Sequence, residues 1–170
     1  MTVELVLPSE KYKDSFLSIF DEYADRILID NFNQSKYEGD FSLFLEKIKN
    51  EREGRFLEEG KVPQTIYWLI DGNKFIGRVG IRHVLNDELR KIGGHIGYAI
   101  RPSERGKGYG TIALRLALPK AKEIGIDSAL ITCKSTNIGS KKIIEKNGGV
   151  FDGITKTDEG ETLRYWIKTT

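Results

Sequence analysis

The sequence is poor in the residues that metal centres and disulfide scaffolds need. Its 170 residues include one cysteine, Cys133, and two histidines, His83 and His95. A structural zinc site takes about four such ligands and a disulfide takes a pair of cysteines. The composition therefore excludes a zinc-built or disulfide-built fold, and we expect no metal cofactor.

Long apolar runs are missing as well. The longest, such as residues 66–70, have five residues, whereas a membrane-spanning helix needs roughly 20. The first residues also lack the basic and apolar regions of a secretory signal. We therefore expect a cytoplasmic protein that has no membrane partner.

The charge is nearly balanced overall but unevenly distributed. The formal net charge is +2, and aromatic residues make up 10% of the chain, which is typical of a folded domain. Residues 1–60 hold 8 basic and 14 acidic side chains, whereas residues 61–170 hold 19 and 11. Such an excess fits either a polyanionic ligand in the C-terminal half or solvated helix faces. No nucleic-acid-binding signature accompanies it, so we expect no nucleic-acid partner.

Hydrophobic periodicity predicts a single α+β domain over residues 1–170, with a mixed, mostly antiparallel central sheet flanked by helices. Polar turn residues separate the elements, and residues 86–91 are expected to be a polar loop. The strands are predicted at Val3–Leu7, Gln64–Ile70, Phe75–Val84, Gly94–Arg101, Ser128–Cys133 (of the buried, parallel type), Val150–Thr155 and Leu163–Lys168, and the helices at Glu10–Ile27, from Asp40 onward, at Gly110–Ile124 and at Ser140–Lys146.

Glycines alternate with other residues between the fourth predicted strand and the long helix that follows. The segment reads Arg105-Gly106-Lys107-Gly108-Tyr109-Gly110-Thr111. Glycine permits positive φ and a close approach of backbone to a ligand, and the N–H groups of a helix N-terminus attract anions. With two basic side chains at the same place, this turn suits a pyrophosphate.

Two phosphate-binding motifs can be compared with this turn. The P-loop pattern is absent. The segment 108–113 fits the dinucleotide fingerprint Gly-x-Gly-x-x-Gly/Ala, but Asp127 precedes the next strand, where the fingerprint places an acid at its end. A nicotinamide-dependent enzyme is thus an alternative that the surrounding elements do not favour.

These residues resemble the GNAT superfamily of acetyl-CoA-dependent N-acetyltransferases. The family signature Arg/Gln-x-x-Gly-x-Gly/Ala is matched by residues 105–110, and a second similar segment runs from Asn137 to Gly149. The resemblance covers roughly residues 93–151. It implies acetyl-CoA as co-substrate, a pyrophosphate held by residues 105–111, and a pantetheine arm that pairs with the strand ending at Tyr98–Ile100. That strand would splay from its neighbour, and Asn137 would contact the arm.

The resemblance also implies direct attack by an amine on the thioester. Ile144 stands where many members carry a tyrosine that protonates the departing thiolate. We expect His95, an imidazole beside the coenzyme strand, as a candidate base, and Tyr98 as a candidate proton donor. Cys133 ends a buried strand and is interpreted as a core residue.

The acceptor is the least specified partner. We expect an amine of a small molecule or a protein, bound by a monomer or homodimer. An acidic N-terminal half suggests a cation-binding wall that includes the aromatic residues Tyr12, Tyr23, Tyr67, Trp68 and Trp166. The alternative function, prompted by Ile144, is a coenzyme A-binding sensor or interaction module without catalysis.

Overall fold

The computed structural model describes residues 2–22, 32–37 and 39–170. Within this part the chain forms two antiparallel sheets with helices packed against them, which confirms the predicted α+β class. The first sheet has the order β1-β2-β3-β4 and the second the order β5-β7-β6. The strands are β1 (Val3–Val6), β2 (Gln64–Asp71), β3 (Lys74–Arg82), β4 (Ile96–Ile100), β5 (Ser128–Lys134), β6 (Val150–Thr157) and β7 (Gly160–Lys168).

The N-terminal helical region is broken where the periodicity predicted one helix. A short helix, α1 (Lys13–Leu17), lies between two 3₁₀ turns, Glu10–Tyr12 and Ser18–Asp21, and residues 23–27 of the predicted helix lie outside the described residues. The hydroxyl of Ser18 donates to the carbonyl oxygen of Ser15 at 2.7 Å. Such local hydrogen bonds compete with regular helix and favour a tighter turn.

Two further helices follow, α2 (Gln34–Tyr37) and α3 (Phe41–Arg52). The predicted start of α3 is confirmed, because the Asp40 carboxylate accepts the backbone N–H of Ser42 at 3.1 Å.

The segment predicted as a polar loop contains a helix instead, α4 (Asp87–Lys91). Asn86 caps it by accepting the N–H of Leu89 at 2.9 Å. Acidic residues stand in its first turn and basic residues in its last, which complements the helix dipole. Nothing in α4 is buried, so it carries no apolar periodicity from which the sequence could reveal it.

The first sheet separates two cores, because neighbouring strand residues point to opposite faces. Leu69 belongs to an aliphatic core that includes Leu114 and Ile131, whereas Trp68 belongs to an aromatic core. Phe16 occupies the centre of the aromatic core, with its ring 4.7 Å from that of Trp68. The aliphatic core joins the two sheets to the long helix α5 (Tyr109–Glu123).

The edge strands β4 and β5 share no ladder. In the described part of the chain every paired strand is antiparallel, and the partner of β5 is β7 rather than β4. The parallel pairing expected for residues 128–133 is therefore not found. The strand is buried because α5 and the other strands cover it. The helix α5 connects β4 to β5, and α6 (Ile138–Lys146) follows β5. The unpaired edge of β4 is thereby left beside the starts of α5 and α6.

Candidate active site

A cleft of about 860 Å³ opens at the end of β4. It has the size of a small-molecule site. Nine of the residues predicted to serve in coenzyme binding or catalysis line it together, namely Tyr98, Ile100, Arg105, Gly106, Gly108, Tyr109, Gly110, Thr111 and Asn137. Lys107 and His95, which were predicted with them, do not line it.

The glycine turn at the floor of this cleft has the backbone that the sequence predicted. Gly106 and Gly108 have φ of 77° and 88°, in the region that favours glycine. Gly108 is the N-cap of α5 and has no side chain, so no side-chain cap bonds the first N–H groups of the helix in the part of the chain that the structure describes. A Cβ at either glycine would meet none of the described residues within 4 Å. The turn therefore presents uncovered backbone and a helix dipole to an anion.

The third glycine serves packing. A Cβ at Gly110 would lie 2.6 Å from Cδ1 of Ile143. The side-chain amide of Asn147 donates to the carbonyl oxygen of Thr111 at 3.3 Å. These contacts hold α6 against the first turn of α5, so that α6 forms one wall of the cleft.

Charges beside the turn are already partly neutralised. The buried carboxylate of Glu104 accepts hydrogen bonds from Lys74 and from Lys107, the latter at 3.0 Å. These two donors lower the pKa of Glu104. Arg105 donates from Nε to the carbonyl oxygen of Ile100 at 2.9 Å. Lys107 thus holds the turn through Glu104, whereas the sequence suggested that it faces the ligand.

Tyr109 is fixed on the other side of the same turn. Its hydroxyl donates to the Asp71 carboxylate at 2.7 Å, at the end of β2. This hydrogen bond, with burial, raises the pKa of Tyr109 to about 12.

A pair of hydroxyl groups lies where β4 meets α6. The oxygens of Tyr98 Oη and Ser140 Oγ are 2.8 Å apart. Burial raises the pKa of Tyr98 to about 12, although the hydrogen bond with Ser140 opposes this. Tyr98 is therefore protonated at neutral pH and able to donate a hydrogen bond into the cleft.

Asn137 has a structural task in addition to its place in the cleft. Its Oδ1 accepts the N–H of Ser140 at 3.0 Å and so caps α6. The side-chain amide nitrogen is the part of Asn137 that remains suited to a ligand carbonyl.

His95 joins the two sheets. Its backbone N–H donates to the carbonyl oxygen of Leu130 at 2.7 Å, and its Nδ1 accepts the N–H of Leu130 at 2.9 Å. Burial, with Arg90 and Arg82 nearby, lowers the pKa of His95 to about 4. The ring is therefore neutral, and because Nδ1 accepts, the proton is on Nε2.

Other predicted positions lie in the core or in structural hydrogen bonds. Ile144 is fully buried, while its neighbour Ile143 lines the cleft. Cys133 is buried, and burial raises the pKa of its thiol. Nε2 of His83 lies 2.8 Å from Oγ1 of Thr65 at the start of the β2–β3 hairpin.

The four described members of the expected aromatic wall do not lie on one surface. Tyr12 and Trp68 are buried in the aromatic core, with 6% and 1% of their surface exposed. Tyr67 packs against the opposite, aliphatic core, and the ring of Trp166 lies 6.3 Å from that of His95. Tyr23 lies outside the described residues. Tyr67 and Trp68 are neighbours on β2, so strand alternation sends them to opposite faces of the sheet, and Trp166 belongs to the second sheet.

The structure adds cleft residues that the sequence interpretation did not select, namely Glu104, Ser140, Lys142 and Lys146. The spacing of the two lysines, four residues apart on a predicted helix, is the signal that places them on one face.

The described residues include no group of three or more His, Cys, Asp or Glu side chains placed to hold a metal ion. None of the helices in this part of the chain has the length and apolar character that crossing a membrane requires.

The model of the acetyltransferase (GNAT) domain family matches residues 21–150. No curated protein matches the chain.

Several solved structures share the fold. The ribosomal L7/L12 α-N-protein acetyltransferase RimL, solved with coenzyme A, has 15% identity and a TM-score of 0.67, with 99% of this chain and 94% of that chain covered. RimJ of Mycobacterium smegmatis, solved with a coenzyme A disulfide, has 19% identity and a TM-score of 0.68 over 98% and 81%. A chimera of the spermidine N-acetyltransferase SpeG of Vibrio cholerae with hSSAT has 14% identity and a TM-score of 0.65 over 99% and 96%.

Proposed function

This chain belongs to the GNAT acetyltransferase family, and from that premise we propose that it transfers an acetyl group from acetyl-CoA to a primary amine of a protein or a small molecule. Members of this family are acetyl-CoA-dependent acyltransferases. For this chain, the acceptor and the role of each residue are what we propose.

One observation supports this proposed reaction most directly: the uncovered glycine turn and the edge of β4 that has no strand partner among the described residues lie in the same cleft. The turn supplies N–H groups and a helix dipole for the pyrophosphate of the coenzyme. Among the described residues no strand pairs with the edge at Tyr98–Ile100. Apart from the Ile100 carbonyl oxygen, which accepts from Arg105, its backbone groups suit the amides of the pantetheine arm, as an added strand does. Asn137 lines the cleft and supports a further contact with this arm. This arrangement directs the thioester toward Tyr98 and Ser140.

The amine nitrogen attacks the thioester carbonyl carbon, the carbon–sulfur bond breaks, and the thiolate leaves with the electron pair. Tyr98 has a pKa of about 12, whereas a thiol has a pKa of about 8.5. Full proton transfer from Tyr98 to the thiolate is therefore uphill. The hydroxyl pair serves by donating a hydrogen bond to the developing negative charge, and the thiolate takes its proton from water.

The proton of the attacking amine leaves to water in this scheme. His95 is a weak base, with a pKa of about 4, and its Nδ1 is occupied by the N–H of Leu130. We therefore assign His95 a positioning role at the junction of β4 with β5 instead of the base that the sequence suggested.

The test is release of coenzyme A thiol from acetyl-CoA in the presence of peptide N-termini, amino acids or polyamines. We expect thiol release that depends on an added amine. The Gly108→Asp variant puts a negative charge into the turn and should lose at least about tenfold in coenzyme affinity.

Gly125→Asp is the matched control. Gly125 has the same φ of 88° at the other end of α5, and again no described residue lies within 4 Å of a Cβ. Both variants place an aspartate at the same positive φ, so equal coenzyme affinities in the two would refute the assignment of the turn.

The second candidate function is coenzyme binding without catalysis. The burial of Ile144 favours it, because no hydroxyl replaces the tyrosine at that position. Calorimetric binding of acetyl-CoA with no thiol release across the amine panel would support this candidate over transfer.

A further inference from the structure

Two lysines on α6 stand beside the proposed phosphate site. Lys142 and Lys146 both line the cleft, and both are exposed. They are four residues apart, so they lie on one helix face about 6 Å apart along the axis.

The position of these lysines relative to the glycine turn is rigid. Ile143, between them in sequence, packs where Gly110 leaves room, and Asn147 bonds to the carbonyl of Thr111. The last turns of α6 are thereby held against the first turn of α5. A group bound at the N-terminus of α5 has these two ammonium groups as its neighbours.

Lys142 and Lys146 differ from other cations at this end of the molecule in their ion pairs. Lys74 and Lys107 both pair with Glu104. Lys141, on the same helix, pairs with Glu145 at 4.0 Å and does not line the cleft. Among the described residues no ion pair joins Lys142 or Lys146 to a carboxylate.

We propose that Lys142 and Lys146 bind the 3′-phosphate of the coenzyme and so make the enzyme select acetyl-CoA over its 3′-dephospho form. The proposal rests on the proposed function, which places the pyrophosphate in the glycine turn. Coenzyme A carries a second phosphate on its ribose, one sugar ring from the pyrophosphate. The turn supplies backbone N–H groups for one anion, and the two lysines supply positive charge for the other, whereas Arg105 is bonded to the carbonyl oxygen of Ile100. Ammonium groups on flexible stems suit an exposed phosphate monoester.

The test compares the dissociation constants of coenzyme A and 3′-dephospho-coenzyme A by titration calorimetry, which needs no acceptor. The variants are Lys142→Ala, Lys146→Ala and their combination. We expect each single variant to weaken coenzyme A binding about fivefold and the double variant by about tenfold or more. None should change the binding of 3′-dephospho-coenzyme A, because that ligand lacks the phosphate.

Lys141→Ala is the matched control. It removes one positive charge from the same helix but none from the cleft, and it should leave both constants within twofold. Thermal unfolding of each variant checks that α6 remains folded.

The outcomes distinguish this proposal from the function on which it rests. Equal wild-type affinities for the two ligands, or equal losses for both ligands in the variants, overturn the phosphate assignment while the cleft remains the coenzyme site. A wild-type protein that binds neither ligand overturns both.

Discussion

Glu22 ties the N-terminal helical region to the segment that leads into the glycine turn. Its carboxylate accepts two hydrogen bonds from Arg101, one of them at 2.8 Å, and two from the N–H and hydroxyl of Ser103, each at 3.0 Å. Arg101 is 5% exposed and also donates to the carbonyl of Phe75. The negative charge of the Glu22 carboxylate thus compensates the positive charge of the buried Arg101 guanidinium.

Glu22→Gln removes the charge and one acceptor oxygen while it keeps the shape. A hydrogen bond to a charged group contributes about 1.5–3 kcal/mol. Arg101 keeps its bonds to Phe75 and Ser18, so we expect a loss of about 2 kcal/mol in the free energy of unfolding. For a chain of this size that loss corresponds to a fall in Tm of about 4–8 °C.

Urea unfolding at neutral pH measures the loss, with Glu123→Gln as control. Glu123 pairs with Lys120 on the exposed face of α5, and such pairs contribute less than about 1 kcal/mol. If Glu22→Gln is no more destabilising than Glu123→Gln, the coupling role of Glu22 is refuted.

The pH dependence of Glu22 has a defined sign. Burial raises its pKa, but hydrogen bonds from Arg101 and Ser103 outweigh burial, and the net pKa is lowered. The stabilisation is therefore fully present above the ordinary pKa of a glutamate and is lost as the pH falls through the lowered value. The difference between wild type and Glu22→Gln should shrink in that acidic range.

Two further predictions concern the cleft. Tyr98→Phe removes the hydroxyl that donates to the thiolate, so kcat should fall about tenfold while the KM for acetyl-CoA stays within twofold. Steady-state kinetics measures both constants, and an unchanged kcat would show that the Tyr98 hydroxyl takes no part in the reaction. His95→Ala leaves a buried backbone N–H without its acceptor and should cost about 1–3 kcal/mol of stability. Because His95 is neutral above its pKa of about 4, the pH–rate profiles of wild type and His95→Ala should have the same shape between pH 6 and 9, approximately, rising with the pKa of the acceptor amine. A shift confined to the variant would restore His95 as the base.

Local structure that depends only on residues close in sequence could be predicted from the sequence. The glycine turn and the start of α3 at Asp40 have the predicted conformation. The helix α4 was missed because its only signals are the Asn86 cap and the order of its charges. The predicted roles of His95, Tyr98 and the turn residues stay predictions.

The residues of the segment 105–111 were sufficient to predict a glycine turn between a strand and a helix, because positive φ and the N–H groups at a helix start are local properties of the backbone. The contacts of the side chains around this turn depend on how the whole chain packs. Lys107 is held by Glu104, His95 by Leu130, and Tyr98 by Ser140. More than thirty residues of sequence separate His95 from Leu130 and Tyr98 from Ser140. Glu104 also binds Lys74, which lies on β3. No local pattern encodes such distances, because they arise when the two sheets pack around α5 and bring α6 against the end of β4.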